Sequence, residues 1–168
     1  MEEEGIGNTL KHFPGYGGSN DTHEGMAYDN RSYEIFEERD FLPFSAGIDA
    51  GADSIMVSHN IIMSMDSNYP ASLSSEVHRI LREDFNFDGV IISDDLYMGA
   101  IEQYANGENV AVQAILAGND VICCADYEGS AKAIIEAIDN GVIPISQIDE
   151  SVLRILTWKR KLGIIVAL

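Results

Sequence analysis

Apolar runs alternate along this chain with stretches in which apolar residues recur at helical spacing. Residues 54–58, 90–93 and 121–125 are short, largely apolar runs, and residues 5–11 can form a further short strand. Runs rich in β-branched residues and bounded by glycine or polar residues are typical of strands buried on both faces of a parallel sheet. We therefore predict four parallel strands.

The segments between the runs show helical periodicity. Helices are predicted over residues 33–50, 74–83, 109–116 and 131–138, and over a final segment from residue 146. Gly51, Gly118 and Gly141 are predicted to end the first, third and fourth of them. Ser146 and Asp149 resemble a capping box at the start of that last helix. The predicted core-facing residues of the first and last helices are Ile35, Phe36, Phe41, Leu42, Phe44, Ile48, Ile148, Val152, Ile155, Leu156 and Leu162.

The order strand, helix, repeated four times with an extra terminal helix, predicts an α/β fold with a parallel sheet. Four β/α units correspond to half of a (β/α)8 barrel, so residues 1–168 are expected to form one TIM-barrel-like half-barrel domain. An open four-stranded sheet is the alternative architecture.

Composition narrows the classes of partner. The chain has 168 residues, 46% of them hydrophobic, and a formal net charge of −18. This charge argues against nucleic acid and anionic membrane surfaces as partners. The acidic start, Met1 to Glu4, is unlike a signal peptide and predicts a cytoplasmic protein; a leader preceding Met1 would instead indicate an extracellular or cell-surface one. Adjacent Cys123 and Cys124 are predicted to be buried core thiols.

Polar residues collect where the predicted strands end. Lys11-His12, Ser58-His59-Asn60 and Ser93-Asp94-Asp95 follow three of them, and Asp126 follows the fourth. Because the carboxyl ends of parallel strands meet at one edge of a sheet, these groups are expected to share a functional site. His78, within a predicted helix, is expected to be exposed.

Asp21 and His23 lie two residues apart in a long glycine-rich loop. A carboxylate could orient the imidazole for proton transfer, although the spacing alone favours an Asx-type turn with a solvent-facing histidine. A metal site built from His12, His23, His59 and Asp94 lacks any paired ligand spacing, so no metal or other cofactor is predicted.

Four motifs together resemble the bacterial β-N-acetylhexosaminidases of glycoside hydrolase family 3. They are Lys11-His-Phe-Pro-Gly15, Asp21-Thr-His23, Pro70-Ala-Ser-Leu-Ser74 and Ser93-Asp-Asp-Leu-Tyr-Met98, in the family's order. Tyr16 and Thr22 depart from the family pattern, outside the catalytic positions.

The resemblance implies roles for particular residues. Asp94 matches the catalytic nucleophile, and His23 matches an acid/base histidine partnered by Asp21. Lys11 and His12 match residues that hydrogen-bond the sugar, and we place His59 and Met98 with them as substrate contacts. The implied reaction is retaining hydrolysis of a terminal β-linked N-acetylglucosamine, as in peptidoglycan or chitin oligomers.

The resemblance begins at about the fifth strand of the family's barrel, so the chain matches its carboxyl-terminal half. The expected consequences are weak activity of the chain alone and assembly, either as a homodimer or with an amino-terminal half. A family 3 β-glucosidase and a catalytically silent half-barrel module are the alternatives.

Overall fold

A computed structural model describes residues 4–16, 27–97, 101, 104 and 109–165 of the chain. Its strands are β1 (Thr9–Phe13), β2 (Tyr28–Asp29), β3 (Ser54–Val57), β4 (Ile61–Ile62), β5 (Val90–Asp95) and β6 (Val121–Cys123). The main sheet has four parallel strands in the order β1-β3-β5-β6, and β2 pairs with β4 in a small parallel sheet. The predicted parallel α/β architecture is therefore confirmed.

Helices connect the strands of the main sheet. The α-helices are α1 (Tyr33–Ile35), α2 (Phe41–Asp49), α3 (Ser75–Arg79), α4 (Val110–Ala117), α5 (Tyr127–Asp139) and α6 (Ile145–Lys161). π-Helical turns, Phe36–Asp40 and Ile80–Asp84, continue α1 into α2 and extend α3. Gly118, with φ +118°, ends α4, as the sequence predicts, because a left-handed residue stops a helix most easily at glycine. None of the helices in the described ranges combines the length and apolar character needed to cross a bilayer.

The largest core cluster joins the main sheet to the helical segment of α1 and α2 and to α3 with its π-helical turn. Phe13 at the end of β1 stacks on Phe41, with ring centroids 5.6 Å apart, and meets Phe44 and Phe85 edge to face. Such aromatic pairs stabilise a core beyond the area that they bury. Leu42, predicted to face this core, is instead 59% exposed, because it projects from α2 on the side away from Phe41 and Phe44.

Both outer pairings of the main sheet contain an irregularity. Between β1 and β3 the pairing moves from Leu10–Ile55 to Phe13–Val57, so β1 has one extra residue at positions 11–12. Between β5 and β6 it moves from Ile92–Val121 to Asp95–Cys123, so β5 has one extra residue at positions 93–94. Bulges of this kind re-aim side chains and are common beside functional sites.

The last helix is oriented differently from its prediction. Its polar side chains face the protein: Ser151 and Arg154 bond the Asp120 carboxylate at 2.8 and 3.0 Å, and Lys161 bonds Asp53 at 2.7 Å. Val152 and Leu156, expected in the core, are 45% and 44% exposed. The bonds from this polar face to the buried carboxylates at the amino ends of β3 and β6 therefore set the orientation of the helix, which its apolar periodicity alone does not predict.

The start of α6 also differs from its prediction. Pro144 occupies the N-cap position and no side chain caps the helix, so the predicted capping box of Ser146 and Asp149 is wrong. Cys123 is exposed rather than buried, because β6 is the last strand of the sheet and pairs on one side only among the residues that the structure describes.

Candidate active site at the carboxyl ends of the strands

Asp94 is the residue around which the candidate site is built. It is the penultimate residue of β5, at the bulge, and its side chain is 19% exposed. One carboxylate oxygen accepts a hydrogen bond from the Asp95 amide at 2.9 Å. The other lies 3.9 Å from Nε2 of His12 on β1, two strands away in the sheet order. The carboxylate is thus held in place while remaining accessible.

The bulge in β1 places Lys11 and His12 at the same rim. Lys11 is exposed, and the His12 side chain is 30% exposed and meets the Tyr16 ring edge-on at 5.4 Å. The sequence predicted that these two residues follow the strand, whereas both lie within β1. The extra residue at the bulge explains how consecutive strand residues can both reach solvent.

His59, which follows β3, lies beneath this rim. It has no exposed surface, its Nε2 is 3.0 Å from the Asp95 carbonyl oxygen, and its Nδ1 is 2.7 Å from the Ser72 hydroxyl. A carbonyl can only accept, so Nε2 donates to it; in a neutral ring Nδ1 then accepts from Ser72. Burial lowers the pKa of His59, which favours that neutral form. Both ring nitrogens are engaged, which differs from the expected direct contact of His59 with sugar.

Hydrogen bonds join the end of β3 to the segment that follows β1. The Ser58 amide and hydroxyl both donate to the Phe13 carbonyl oxygen, at 2.9 and 3.0 Å. The Ser58 hydroxyl also bonds Asn60, and Asn60 donates to the Gly15 carbonyl at 3.3 Å. These bonds position the start of the loop that carries Asp21 and His23.

A charged cluster that the sequence alone does not reveal lies beside Gly15, near the start of that loop. Arg31 bonds the buried carboxylate of Asp29 with two nitrogens and reaches Asp40 with a third, at 2.8 Å. Asp40 in turn lies so close to Gly15 that a β-carbon there would sit 2.3 Å from the carboxylate. Nothing in the spacing of Asp29, Arg31 and Asp40 distinguishes them from solvated loop residues, so only the fold reveals them.

The other residues that the sequence singled out do not join this site in the described part of the structure. Asp21, His23 and Met98 lie outside the described residues. Asp126 accepts the Gly129 amide and caps α5 rather than joining the rim. His78, expected to be exposed, is buried, with Nδ1 2.7 Å from the Ser74 carbonyl.

Among the described residues, no group of three or more His, Cys, Asp or Glu side chains is arranged to hold a metal ion. The rim carries negative charge instead. The pKa of Cys123 at the end of β6 is raised by partial burial and then by the carboxylates of Asp95 and Asp94. Within the described part of the rim, Lys11 and His12 are the groups able to offset that charge.

Comparison with known proteins gives a consistent result. The model of the glycosyl hydrolase family 3 N terminal domain matches residues 1–158. The chain is 44% identical over 127 residues to a beta-hexosaminidase of Nitrosomonas eutropha, covering 74% of this chain and 36% of that protein. It is 41% identical to a beta-hexosaminidase of Xanthomonas campestris pv. campestris, covering 80% of this chain and 41% of that protein.

A solved structure extends the similarity to the fold. The glycoside hydrolase family 3 beta-N-acetylglucosaminidase from Paenibacillus sp. str. FPU-7 superposes with a TM-score of 0.90 and 31% identity. The match covers 99% of this chain and 34% of that one. The match to this chain thus spans well under half the length of each of these three proteins, and its sheet and helices correspond to part of a TIM-barrel-like domain. This chain belongs to glycoside hydrolase family 3.

Proposed function

We propose that the site performs retaining hydrolysis of a terminal β-linked N-acetylglucosamine. The observation that carries the proposal is Asp94: an accessible carboxylate at the carboxyl end of a buried strand, fixed by the Asp95 amide and facing His12. A nucleophile in a retaining glycosidase needs this combination of fixed position and access to the anomeric carbon. The names of the relatives support N-acetylglucosamine as the sugar.

Two steps complete the reaction. Asp94 attacks the anomeric carbon, the glycosidic bond breaks, and the leaving oxygen takes a proton from His23, whose ring Asp21 orients. Water then attacks the covalent glycosyl-enzyme, with His23 accepting the proton from water and Asp94 as leaving group. This assignment of Asp21 and His23 rests on their motif.

The other proposed residues act on the sugar or on Asp94. In this proposal Lys11 and His12 hydrogen-bond sugar hydroxyls, which their exposed surface at the rim supports. Met98 is proposed as a further substrate contact. His59 acts one step away from the sugar, because its bond to the Asp95 carbonyl fixes the backbone next to the nucleophile. No cofactor takes part in this mechanism.

Covalent trapping tests the proposal even when turnover is slow. A fluorinated N-acetylglucosaminide with a good leaving group should add the mass of one sugar to the peptide containing Asp94. Asp94→Asn should abolish labelling. Asp95→Asn is the matched control and should still be labelled, because the Asp95 side chain accepts a hydrogen bond from the Tyr97 amide, a role that asparagine retains. Labelling of another residue would refute the assignment of the nucleophile.

The alternatives predict different outcomes of the same experiment. A β-glucosidase would be labelled faster by the fluorinated glucoside than by the N-acetylglucosaminide. The motif Asp21-Thr-His23 supports the hexosaminidase reading. A catalytically silent half-barrel would be labelled by neither reagent.

We also propose that the chain works in an assembly. Strands β1 and β6 stand at the two ends of the main sheet order, and each leaves one edge unpaired within it. Such edges are templates for pairing with another chain. A second copy, or a chain equivalent to the rest of the relatives' barrel, could pair there and extend the rim.

A further inference from the structure

The outer face of α6 is apolar and exposed. Gln147, Ser151, Arg154, Trp158 and Lys161 mark the inner face, since each contacts the body of the protein. The opposite side carries Ile145, Val152 and Leu156, which are 60%, 45% and 44% exposed, with Leu153 beside them at 65%. Spacings of seven and four residues put the first three on one face of the helix.

Two charged residues share that face with the apolar side chains. Asp149 lies four residues after Ile145, and Lys159 lies three residues after Leu156; both are exposed. From its amino to its carboxyl end the face therefore presents Ile145, Asp149, Val152, Leu156 and Lys159. We call these five residues the α6 stripe.

We propose that the α6 stripe is a docking surface for a second copy of this chain, with the two α6 helices packed antiparallel. A twofold axis that crosses the outer face at the level of residue 154 along the helix places Asp149 against Lys159 of the second copy. The same axis places Val152 against Leu156 of the second copy, because both pairs share that midpoint. Each contact then occurs twice, as an isologous interface requires.

The charge pattern favours a second copy over an unrelated partner. The chain carries a net charge of −18, so two copies repel each other over most of their surfaces. The α6 stripe is an exception: its acidic and basic residues lie at equal distances from the centre and become complementary only when the helix meets itself reversed. Val142 and Ile164, just beyond the two ends of the helix, are also exposed apolar residues. A typical stable interface buries roughly 800 Å² per partner.

A charge swap tests this geometry. Sedimentation analysis of the purified chain should show a monomer–dimer equilibrium. Lys159→Glu should raise the dimer dissociation constant about tenfold, since it replaces two attractive contacts by repulsive ones, and Asp149→Lys should do the same. The double variant should restore the dissociation constant of the unmodified chain.

Lys132→Glu is the matched control. It makes the same change in net charge at an exposed residue of α5 that is not part of the α6 stripe, and should leave the dissociation constant within about twofold. A chain that remains monomeric at about 100 µM would overturn the proposal. So would a dimer unaffected by Lys159→Glu, which would assign the contact to the strand edges instead. Neither result bears on the glycosidase proposal, which the labelling of Asp94 tests separately.

Discussion

At the scale of single residues, two histidines are buried for structural reasons. His59 joins Ser72 to the Asp95 carbonyl, and Nδ1 of His78 donates to the carbonyl oxygen of Ser74, the N-cap residue of α3. Burial lowers the pKa of both rings below the usual value of about 6.5. The folded protein therefore favours neutral rings, whereas the unfolded chain protonates them readily.

Acidification should accordingly destabilise the protein. Stability is fully present above about pH 6.5 and falls as pH drops toward the lowered folded pKa values, by up to about 1.4 kcal/mol per pH unit for each histidine. Urea denaturation at pH 7.5 and 5.5 measures this loss. His59→Gln, which can keep a donor for Asp95 and an acceptor for Ser72, should reduce the pH dependence. Equal stability of the unmodified chain at both pH values would contradict the expectation.

At the scale of elements, the cluster of Asp29, Arg31 and Asp40 joins β2 to the helical segment that begins at Tyr33. Burial raises the pKa of Asp29, but the hydrogen bonds and charge of Arg31 together outweigh it, and the net pKa is lowered. The Asp29 contribution to stability is therefore present above about pH 4 and is lost as pH falls further.

Removing the Arg31 guanidinium should make the contribution of this cluster to stability measurable. Arg31→Met leaves a buried carboxylate without its partner and should lower the free energy of unfolding by about 2 kcal/mol at pH 7. The difference from the unmodified protein should shrink as the pH falls below about 4 toward the lowered pKa, where Asp29 becomes protonated in the unmodified protein as well. Arg39→Met, an exposed arginine of the same segment, should change stability by less than about 0.5 kcal/mol. Equal effects of the two substitutions would refute the role of the cluster.

The sequence predicts elements better than it predicts orientations. Strand-helix alternation and the stop at Gly118 could be read directly, because they depend on local patterns. Which face of α6 packs against the protein could not be predicted, since Asp120 and Asp53 become its partners only when distant segments meet. The bulges at residues 11–12 and 93–94 depend on register between strands, which a single sequence does not show. Asp94 was found because its position at a strand end is itself a local pattern.

At the scale of the whole molecule, the chain spans 36% of the Nitrosomonas eutropha relative and 34% of the Paenibacillus structure. Its own rim provides Asp94, Lys11 and His12, all on two strands. The relatives are longer, and their additional residues are expected to supply further contacts to the sugar. Binding energy from such contacts is expressed in the transition state and therefore in rate.

Hydrolysis by this chain alone should consequently be slow. The loss of two contacts, each of about 1.4 kcal/mol or more, predicts a kcat/KM at least about a hundredfold below that of a full-length relative assayed alongside. A chromogenic β-N-acetylglucosaminide provides the measurement. Saturable turnover at the rate of the relative, abolished by Asp94→Asn, would contradict this expectation and indicate a complete site.

The two bulges have a consequence for how this protein could change over generations. Each inserts one residue into a strand at a position that carries the proposed chemistry, Lys11-His12 and Ser93-Asp94. Deleting one residue at either place would restore regular pairing, and with it ladder hydrogen bonds that the bulge disrupts. Such deletions would stabilise the pairing between the strands but would displace the side chains of the rim. Relatives that lose the activity should therefore drift toward shorter, straighter strands, whereas selection for turnover keeps the irregular ones.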